Sequence, residues 1–174
     1  MTGGMTGAMS LRRKLVAALA GAAIALGVAG MAHAAERVSV FESANAAQLS
    51  ATQQGKPFVL VVWSLDCVYC KRNFEAIGKL QARHRSLRVV TLAMDRADAL
   101  PQVQQVLKRV NLTRNAWMSG NEPQERLRYA VDPDWMGEMP RTYFYRADGQ
   151  RQGVSGVISD ADWDKHLRWA GIGG

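Results

Sequence analysis

Apolar residues along this chain fall into two repeating patterns, one typical of buried strands and one typical of amphipathic helices. Residues 58–63 form an unbroken apolar run after Gly-Lys-Pro, as expected for a strand buried on both faces of a sheet. Apolar residues then recur at helical spacing over 68–84, and a second apolar run over 88–94 predicts another buried strand. Strand and helix patterns that alternate in this way predict an α/β protein with helices on both faces of the sheet.

The alternation continues to the end of the chain. A helix that opens at Leu100-Pro101 has apolar residues every three or four positions, and a hairpin is predicted around the turn Asp148-Gly149. Ser159 is the expected N-cap of a final helix. The other predicted elements are a strand over 38–41, a helical turn over 44–49, a strand over 112–118, a turn over 119–121, a helix over 122–130 that contains Pro123, and hairpin strands over 141–146 and 154–158.

The first 34 residues have the pattern of a targeting segment. A positive cluster at 12–14 precedes an uncharged run rich in Ala, Gly, Leu and Val over 15–32, and Ala32-His33-Ala34 is a small-x-small cleavage pattern. This order predicts a secretory signal peptide over 1–34, cut before Ala35, and leaves one domain over 35–174. An uncleaved membrane anchor is the alternative, since the run approaches the roughly 20 residues that span a bilayer.

Length and charge exclude several classes of protein. The 174 residues are enough for one packed domain but hardly for two. Removal of the targeting segment takes away three of the 22 basic residues and none of the 15 acidic ones, so the remaining basicity is modest. Because the remaining domain contains no run of Lys or Arg, a nucleic-acid partner is not expected.

The two cysteines, Cys67 and Cys70, are the chemical feature of the chain. They come directly after the first buried strand and at the start of the following helix, where backbone N–H groups and the helix dipole stabilise a thiolate on Cys67. With two residues between them, Cys70 can resolve a mixed disulfide formed at Cys67. A structural disulfide is the alternative, although so short a loop restrains the unfolded chain little. Metal is not expected, because His84 and His166 lie elsewhere in the sequence and zinc needs four ligands as a rule.

Two segments together resemble the thioredoxin superfamily. Trp63-Ser64-Leu65-Asp66-Cys67-Val68-Tyr69-Cys70-Lys71 is similar to its active-site segment, and Met139-Pro140 before a strand is similar to its cis-proline loop. The roughly 45 residues between Met94 and Met139 look like the extra strand and helix of TlpA-like periplasmic thioredoxins. The resemblance implies a thioredoxin-like α/β fold: a central mixed β-sheet flanked by helices, with an extra strand-helix insertion before the cis-proline loop.

The same resemblance implies roles for individual residues. Cys67 would be the catalytic nucleophile, Cys70 the resolving thiol, and Pro140 a cis residue facing their redox-active disulfide. The backbone of Met139 would pair with an extended substrate peptide, with Trp63 and Tyr69 as further substrate contacts. The implied partners are protein thiols or disulfides and a membrane electron donor, the protein would be a periplasmic monomer, and no bound cofactor is required.

The chain departs from the family where thioredoxin has a buried acid that assists the resolving thiol, because Val61 occupies that position. Asp66, Glu75 and Glu138 are candidate substitutes, and each can also be interpreted as a solvated surface acid. The charge of Asp66 should raise the pKa of Cys67, whereas the helix start and Lys71 should lower it, so the net direction stays open.

A few tryptophan, methionine and histidine residues outside these two segments can be interpreted either as functional or as structural. Trp135 and Met136 precede the proline loop and are candidates for shaping a substrate groove, and His166 is predicted to be structural. The methionines at 94, 118, 136 and 139 are soft ligands that could hold copper, but scattered Met is more often core packing. A reductase is favoured by the TlpA-like resemblance. A DsbA-like oxidant and a binding or copper-delivery module without turnover are the alternatives.

Overall fold

The computed structural model of this protein describes residues 37–173. The predicted signal peptide or anchor and its cleavage site lie outside the described residues. Within 37–173, no helix combines the length and the apolar character needed to cross a membrane.

Six strands and five helices follow one another along residues 37–173. Short 3-10 turns at Ser43–Asn45 and Ala97–Ala99 precede the first and third helices. The elements in chain order are β1 (Ser39–Phe41), α1 (Gln48–Ala51), β2 (Phe58–Trp63), α2 (Cys70–Arg83), β3 (Val89–Ala93), α3 (Leu100–Arg109), β4 (Ala116–Ser119), α4 (Gln124–Val131), β5 (Arg141–Tyr145), β6 (Arg151–Ser155) and α5 (Asp160–Ala170).

The strands form one mixed sheet in the order β1-β4-β3-β2-β5-β6. The first four strands of that order are mutually parallel, and β5 and β6 are antiparallel to their neighbours. Every residue of β2 and β3 is buried, which explains why β2 is an unbroken apolar run and why β3 is apolar apart from Thr91. The predicted fold class is confirmed.

The predicted insertion is also present. β4 and α4 lie between α3 and the loop that leads into β5, and β4 separates β3 from the edge strand β1. The insertion widens the sheet on the side away from β5. It leaves β2 and β5 as direct neighbours, so the segments that follow β2 and precede β5 meet at the same edge of the sheet.

Helices cover both faces of the sheet, as predicted. Alternate residues of β2 enter opposite core clusters, with Val61 on one face and Leu60 on the other. Residues of α2, α3 and α5 pack on the face of Val61, and residues of α1 and α4 pack on the face of Leu60. The buried residues of both clusters lie between residues 41 and 172, and Val38 packs against one of the clusters.

Two strand predictions are wrong in their bounds. β6 is Arg151–Ser155 rather than 154–158, because the tight turn bonds the Arg146 N–H to the Gln150 carbonyl and pairing then begins with Arg151 opposite Tyr145. The polar residues of β6 are tolerated because it is an edge strand that is exposed at alternate positions.

The second error is in β4, which begins at Ala116 and extends to Ser119. Leu112 still belongs to the exit of α3, since its N–H bonds to the Leu107 carbonyl, and Ser119 pairs with Phe41 instead of starting a turn. The following helix begins at Gln124, after Pro123 rather than around it.

Candidate active site

Cys67 and Cys70 lie between the end of β2 and the start of α2 and are joined by a disulfide, with 5.4 Å between their Cα atoms. The connecting segment is a tight turn in which the Cys67 N–H donates to the Ser64 carbonyl at 3.2 Å and the Cys70 N–H to the Cys67 carbonyl at 3.1 Å. Cys70 is the first residue of a helix of 14 residues. Both sulfurs therefore lie at a helix N-terminus, where the dipole favours a thiolate.

The two cysteines differ in burial. Cys70 is 1% exposed and belongs to the core cluster beneath α2, whereas Cys67 is half-buried at the surface of that cluster. The residues between them face solvent, with Val68 77% and Tyr69 57% exposed. An external thiol or disulfide therefore reaches Cys67 first.

The loop before β5 contains the expected cis peptide bond, between Met139 and Pro140. Pro140 is buried, and its carbonyl accepts the Gly156 N–H at 2.8 Å. Met139 is half-buried and borders the same core cluster as Cys67. The structure thus brings the cysteine turn and the proline loop to one edge of the sheet.

Buried side-chain contacts fix residues 132–141, the segment that contains the proline loop. The Trp135 indole is 2% exposed, and its N–H donates to the Glu138 carbonyl at 2.9 Å. Arg141, directly after Pro140, pairs with the Asp132 carboxylate at 3.2 Å. Of the two residues considered for a substrate groove, Trp135 is an interior anchor and Met136 is 75% exposed.

The expectation of a substrate contact differs in outcome for Trp63 and Tyr69. Trp63 is 2% exposed and packs edge-on against Phe74, with 5.1 Å between ring centroids. Its burial removes it from the surface that a substrate can touch, which corrects that expectation. Tyr69 is exposed, and the Arg72 guanidinium lies 5.7 Å from its ring centroid.

Beneath the cysteines, the position of the family's buried acid is apolar. Val61 is fully buried and pairs with Thr142 of β5. The three candidate substitutes, Asp66, Glu75 and Glu138, are all exposed, so each is a solvated surface acid. None of them occupies the buried position next to Cys70.

Asp95, just after β3, is a site residue that the sequence reasoning missed. Its two carboxylate oxygens lie 3.1 and 3.2 Å from the Leu65 nitrogen, and the Leu65 N–H donates to them two residues before Cys67. Burial raises the pKa of Asp95 and the charge of Asp66 adds to the rise, while the Leu65 N–H opposes it. The sequence could have indicated this contact, because the carboxyl ends of parallel neighbours such as β2 and β3 meet at one edge of the sheet, and Asp95 comes just after β3.

Asn73, on α2, is the second residue missed. It is fully buried, and its side-chain NH₂ donates to the Gly156 carbonyl at 3.1 Å while its oxygen accepts the Ile158 N–H at 3.2 Å. Since Gly156 also bonds to the Pro140 carbonyl, a continuous hydrogen-bonded path joins the helix of Cys70 to the proline loop. Asn73 lies three residues after Cys70 and four before Ile77, so it shares their buried face of α2. This spacing could have identified Asn73 from the sequence.

His166 lies away from the cysteines. Its ring stacks on Phe144 with centroids 4.8 Å apart, and its Nδ1 lies 3.0 Å from the Gln152 side-chain oxygen. Burial lowers the pKa of His166, and the charge of Lys165 acts in the same direction, whereas Asp162 opposes it. This packing agrees with the predicted structural role.

The four methionines considered for copper do not share a site. Met118 belongs to one core cluster and Met94 packs against the other, on the opposite face of the sheet. In the described part of the chain, no three His, Cys, Asp or Glu side chains are grouped so as to hold a metal ion.

Comparisons with known proteins agree with this geometry. A family model described as a thioredoxin-like domain matches residues 44–171. The chain belongs to the thioredoxin-like domain family. No curated protein matches this thioredoxin-like chain in sequence.

Several solved structures share the thioredoxin-like fold. A thiol:disulfide interchange protein of the thioredoxin family from Chlorobium tepidum is 21% identical, with a TM-score of 0.53 over 70% of this chain and 83% of its own. A secreted Mycobacterium tuberculosis disulfide oxidoreductase, homologous to DsbE of E. coli, is 20% identical, with a TM-score of 0.51 over 77% and 96%. The exposed lipoprotein thioredoxin of Streptococcus pneumoniae is 13% identical, with a TM-score of 0.51 over 70% and 89%. At these identities the likeness concerns the fold.

Membership of the thioredoxin-like family and a redox-capable cysteine pair together support thiol:disulfide oxidoreductase chemistry for this protein.

Proposed function

We propose that this protein is an exported thiol:disulfide oxidoreductase that reduces disulfide bonds in protein substrates. The observation that carries the proposal is the unequal pair at the start of α2, in which a half-buried Cys67 is bonded to a Cys70 that is 1% exposed. A disulfide with a purely structural role does not require unequal burial of its two sulfurs, whereas dithiol exchange needs one accessible and one protected sulfur. The N-terminal targeting pattern, and the secreted and exposed relatives in fold, support export.

The exchange takes place in two steps. In the first, the Cys67 thiolate attacks one sulfur of a substrate disulfide; a Cys67–substrate bond forms, the substrate bond breaks, and the second substrate sulfur leaves as a thiolate. In the second, Cys70 loses its proton and attacks Cys67, which forms the Cys67–Cys70 disulfide and releases the reduced substrate. The substrate gains two electrons and the protein loses two. A membrane electron donor returns them.

The absence of a buried acid at Val61 affects the second step. Since the buried position beneath Cys70 is occupied by Val61 and not by a carboxylate, the substrate thiolate released in the first step is the base best placed to take its proton. In this scheme the two steps are coupled through the bound substrate. Resolution of the mixed disulfide then depends on the pKa of the substrate thiol.

The exposed surface beside the cysteines indicates how a substrate binds. We propose that the backbone of Met139 pairs with an extended peptide, in the manner of strand addition. Val68, Tyr69 and Met136 are the large exposed apolar side chains in the cysteine turn and in the segment before the proline loop, and they would contact apolar residues of an unfolded or extended protein. The binding needs one copy of the chain, so we propose a monomer.

Substitution of each cysteine tests the proposal. In an insulin-reduction assay with dithiothreitol as electron source, Cys67→Ser should abolish catalysis because no accessible nucleophile remains. Cys70→Ser should also stop turnover but should accumulate a covalent complex with insulin through Cys67, because the resolving thiol is gone.

The two substitutions are matched controls for each other, since each removes one sulfur from the same turn. Equal reactivity of both single variants towards a disulfide substrate would contradict the assigned roles. Activity of the intact protein no higher than that of the double variant would show that the pair is structural.

A further inference from the structure

The four parallel strands share a charge pattern that the cysteine chemistry does not use. Each strand has a cation within two residues before its start and an acid within three residues after its end. In the order β1, β2, β3 and β4 the cations are Arg37, Lys56, Arg88 and Arg114, and the acids are Glu42, Asp66, Asp95 and Glu122. Because the strands are parallel, the cations meet at one edge of the sheet and the acids at the other.

The same separation extends through the loops and helices that connect the strands. Residues 43–65, 76–94 and 99–121 contain eight Lys or Arg and no Asp or Glu. The chain therefore has a basic edge, where the parallel strands begin and where Asp148 of the β5–β6 turn is paired with Arg146, and an acidic edge, where the strands end and where Cys67 and Cys70 lie. Strands of this length separate the two edges by roughly 17 Å.

A groove is present at the basic edge, between the loop after α2 and the loop after α3. It has a volume of about 700 Å³ and is lined by Arg85, Arg88 and Arg114 together with amide, hydroxyl and aliphatic side chains, and no carboxylate lines it. Ion pairs among residues 37–173 involve other arginines. Arginine forks suit phosphate oxygens, which accept two parallel hydrogen bonds from one guanidinium.

We infer that the basic edge docks on the surface of a membrane that contains anionic phospholipid, with the phosphates of the headgroups in the arginine groove. Charge complementarity is one support, because no acid in the three connecting segments opposes the arginines. Continuity of the chain is the other. β1 enters the sheet at this edge directly after Arg37, so an uncleaved N-terminal anchor, the alternative to a signal peptide cut before Ala35, would tether the domain from this edge.

Docking in this orientation has a consequence for the cysteines. With the basic edge on the membrane, Cys67 lies on the far edge and faces away from the lipid, towards soluble substrates. The inference goes beyond the proposed function and does not rest on it, since the charge pattern would orient the molecule whatever the cysteines do.

Vesicle binding tests the inference. The chain over residues 35–174, which contains the whole packed core, is sedimented with phosphatidylcholine vesicles with or without phosphatidylglycerol. We expect binding only to the anionic vesicles, weakening as salt is added because exposed charges are screened. Substitution of Arg85, Arg88 and Arg114 by Gln should weaken binding by about fivefold for each charge removed.

A matched variant separates this site from net charge. Arg96→Gln, Arg126→Gln and Lys165→Gln remove three exposed cations away from the groove and should leave vesicle binding intact. Equal loss in the two triple variants would overturn the inference, as would equal binding to neutral vesicles. Binding of soluble glycerol phosphate in the groove without vesicle binding would overturn it in favour of a soluble anion. Insulin reduction should be unchanged in both variants, so failure here is distinct from failure of the redox proposal.

Discussion

At the carboxyl end of β3, the Asp95 carboxylate holds the backbone that leads into Cys67 by accepting the Leu65 N–H. The environment is poor for a charge, because burial and the neighbouring Asp66 both raise the Asp95 pKa. The folded protein therefore binds this proton more tightly than the unfolded chain does. It follows that ionisation of Asp95 costs stability, and that this cost appears as the pH rises through the range in which the carboxyl titrates.

Asp95→Asn should accordingly stabilise the protein at neutral pH, because the amide oxygen still accepts the Leu65 N–H without a buried charge. The gain should vanish below about pH 3.9, where Asp is protonated even in the unfolded chain. Denaturant midpoints of the two proteins at neutral and acid pH measure the difference. A variant that is less stable than the parent at neutral pH would contradict this account of Asp95.

At the residue level, the pairing of Cys67 with Cys70 and the cis bond before Pro140 were predicted from local signals, whereas the catalytic roles of these residues stay predictions. Cys67 and Cys70 could be assigned from their spacing after a buried strand, and the family resemblance supplied Pro140. Asp95 could not be assigned in the same way, because its importance depends on β3 lying beside β2, a pairing that spans 30 residues. Trp63 was misjudged because a tryptophan beside a reactive turn can face inward or outward, and tertiary packing decides which.

At the scale of elements, the site depends on how α2 is fastened to the two segments that meet it. Asn73 bonds to Gly156 and Ile158, both in the connection after β6, and Gly156 in turn bonds to the Pro140 carbonyl. The helix that carries Cys70 and the loop that carries Pro140 are thus held to one backbone segment. Asn73 is a positioning residue, since it acts through that segment.

Asn73→Ala should lower the free energy of unfolding by about 1–3 kcal/mol, because it leaves a buried carbonyl and a buried N–H without partners. It should also raise KM for insulin more than it lowers kcat, because the proline loop loses its fixed position while the cysteines remain. Steady-state kinetics and denaturant unfolding measure the two effects.

Val103→Ala is the matched control, since Val103 is fully buried on α3, outside the path to Pro140. It should lower stability without changing KM. If both variants shift KM equally, Asn73 has only a general structural role.

The elements themselves were predicted best where burial is complete. β2 could be predicted residue for residue, because a strand buried on both faces has no polar interruption. β6 could not be predicted, since an edge strand that reads Arg-Gln-Gly-Val-Ser has no apolar pattern and its register is set by the preceding turn. β4 was shifted because Leu112 packs in the core from the exit of α3, and its apolar character does not mark a strand.

At the scale of the whole molecule, the fold places redox chemistry and positive charge at opposite edges of one sheet. The cysteines, the proline loop and the acids that follow the parallel strands occupy one edge. The arginines that precede those strands occupy the other. The negative charge of Asp66 beside Cys67 disfavours its thiolate, whereas Lys71 and the start of α2 favour it, so the balance between them sets the reactivity of the protein.

The reduction potential of the Cys67–Cys70 couple tests the central claim most directly. The protein is equilibrated with glutathione or dithiothreitol buffers and followed by tryptophan fluorescence, to which Trp63 contributes from the same core cluster as Cys70. A reductase predicts a value near that of thioredoxin, about −270 mV, and a tenfold change in the equilibrium constant corresponds to about 30 mV. A value near about −120 mV would make the protein an oxidant, and a bond that resists reduction well below about −300 mV would mark a structural disulfide; either result would contradict the account.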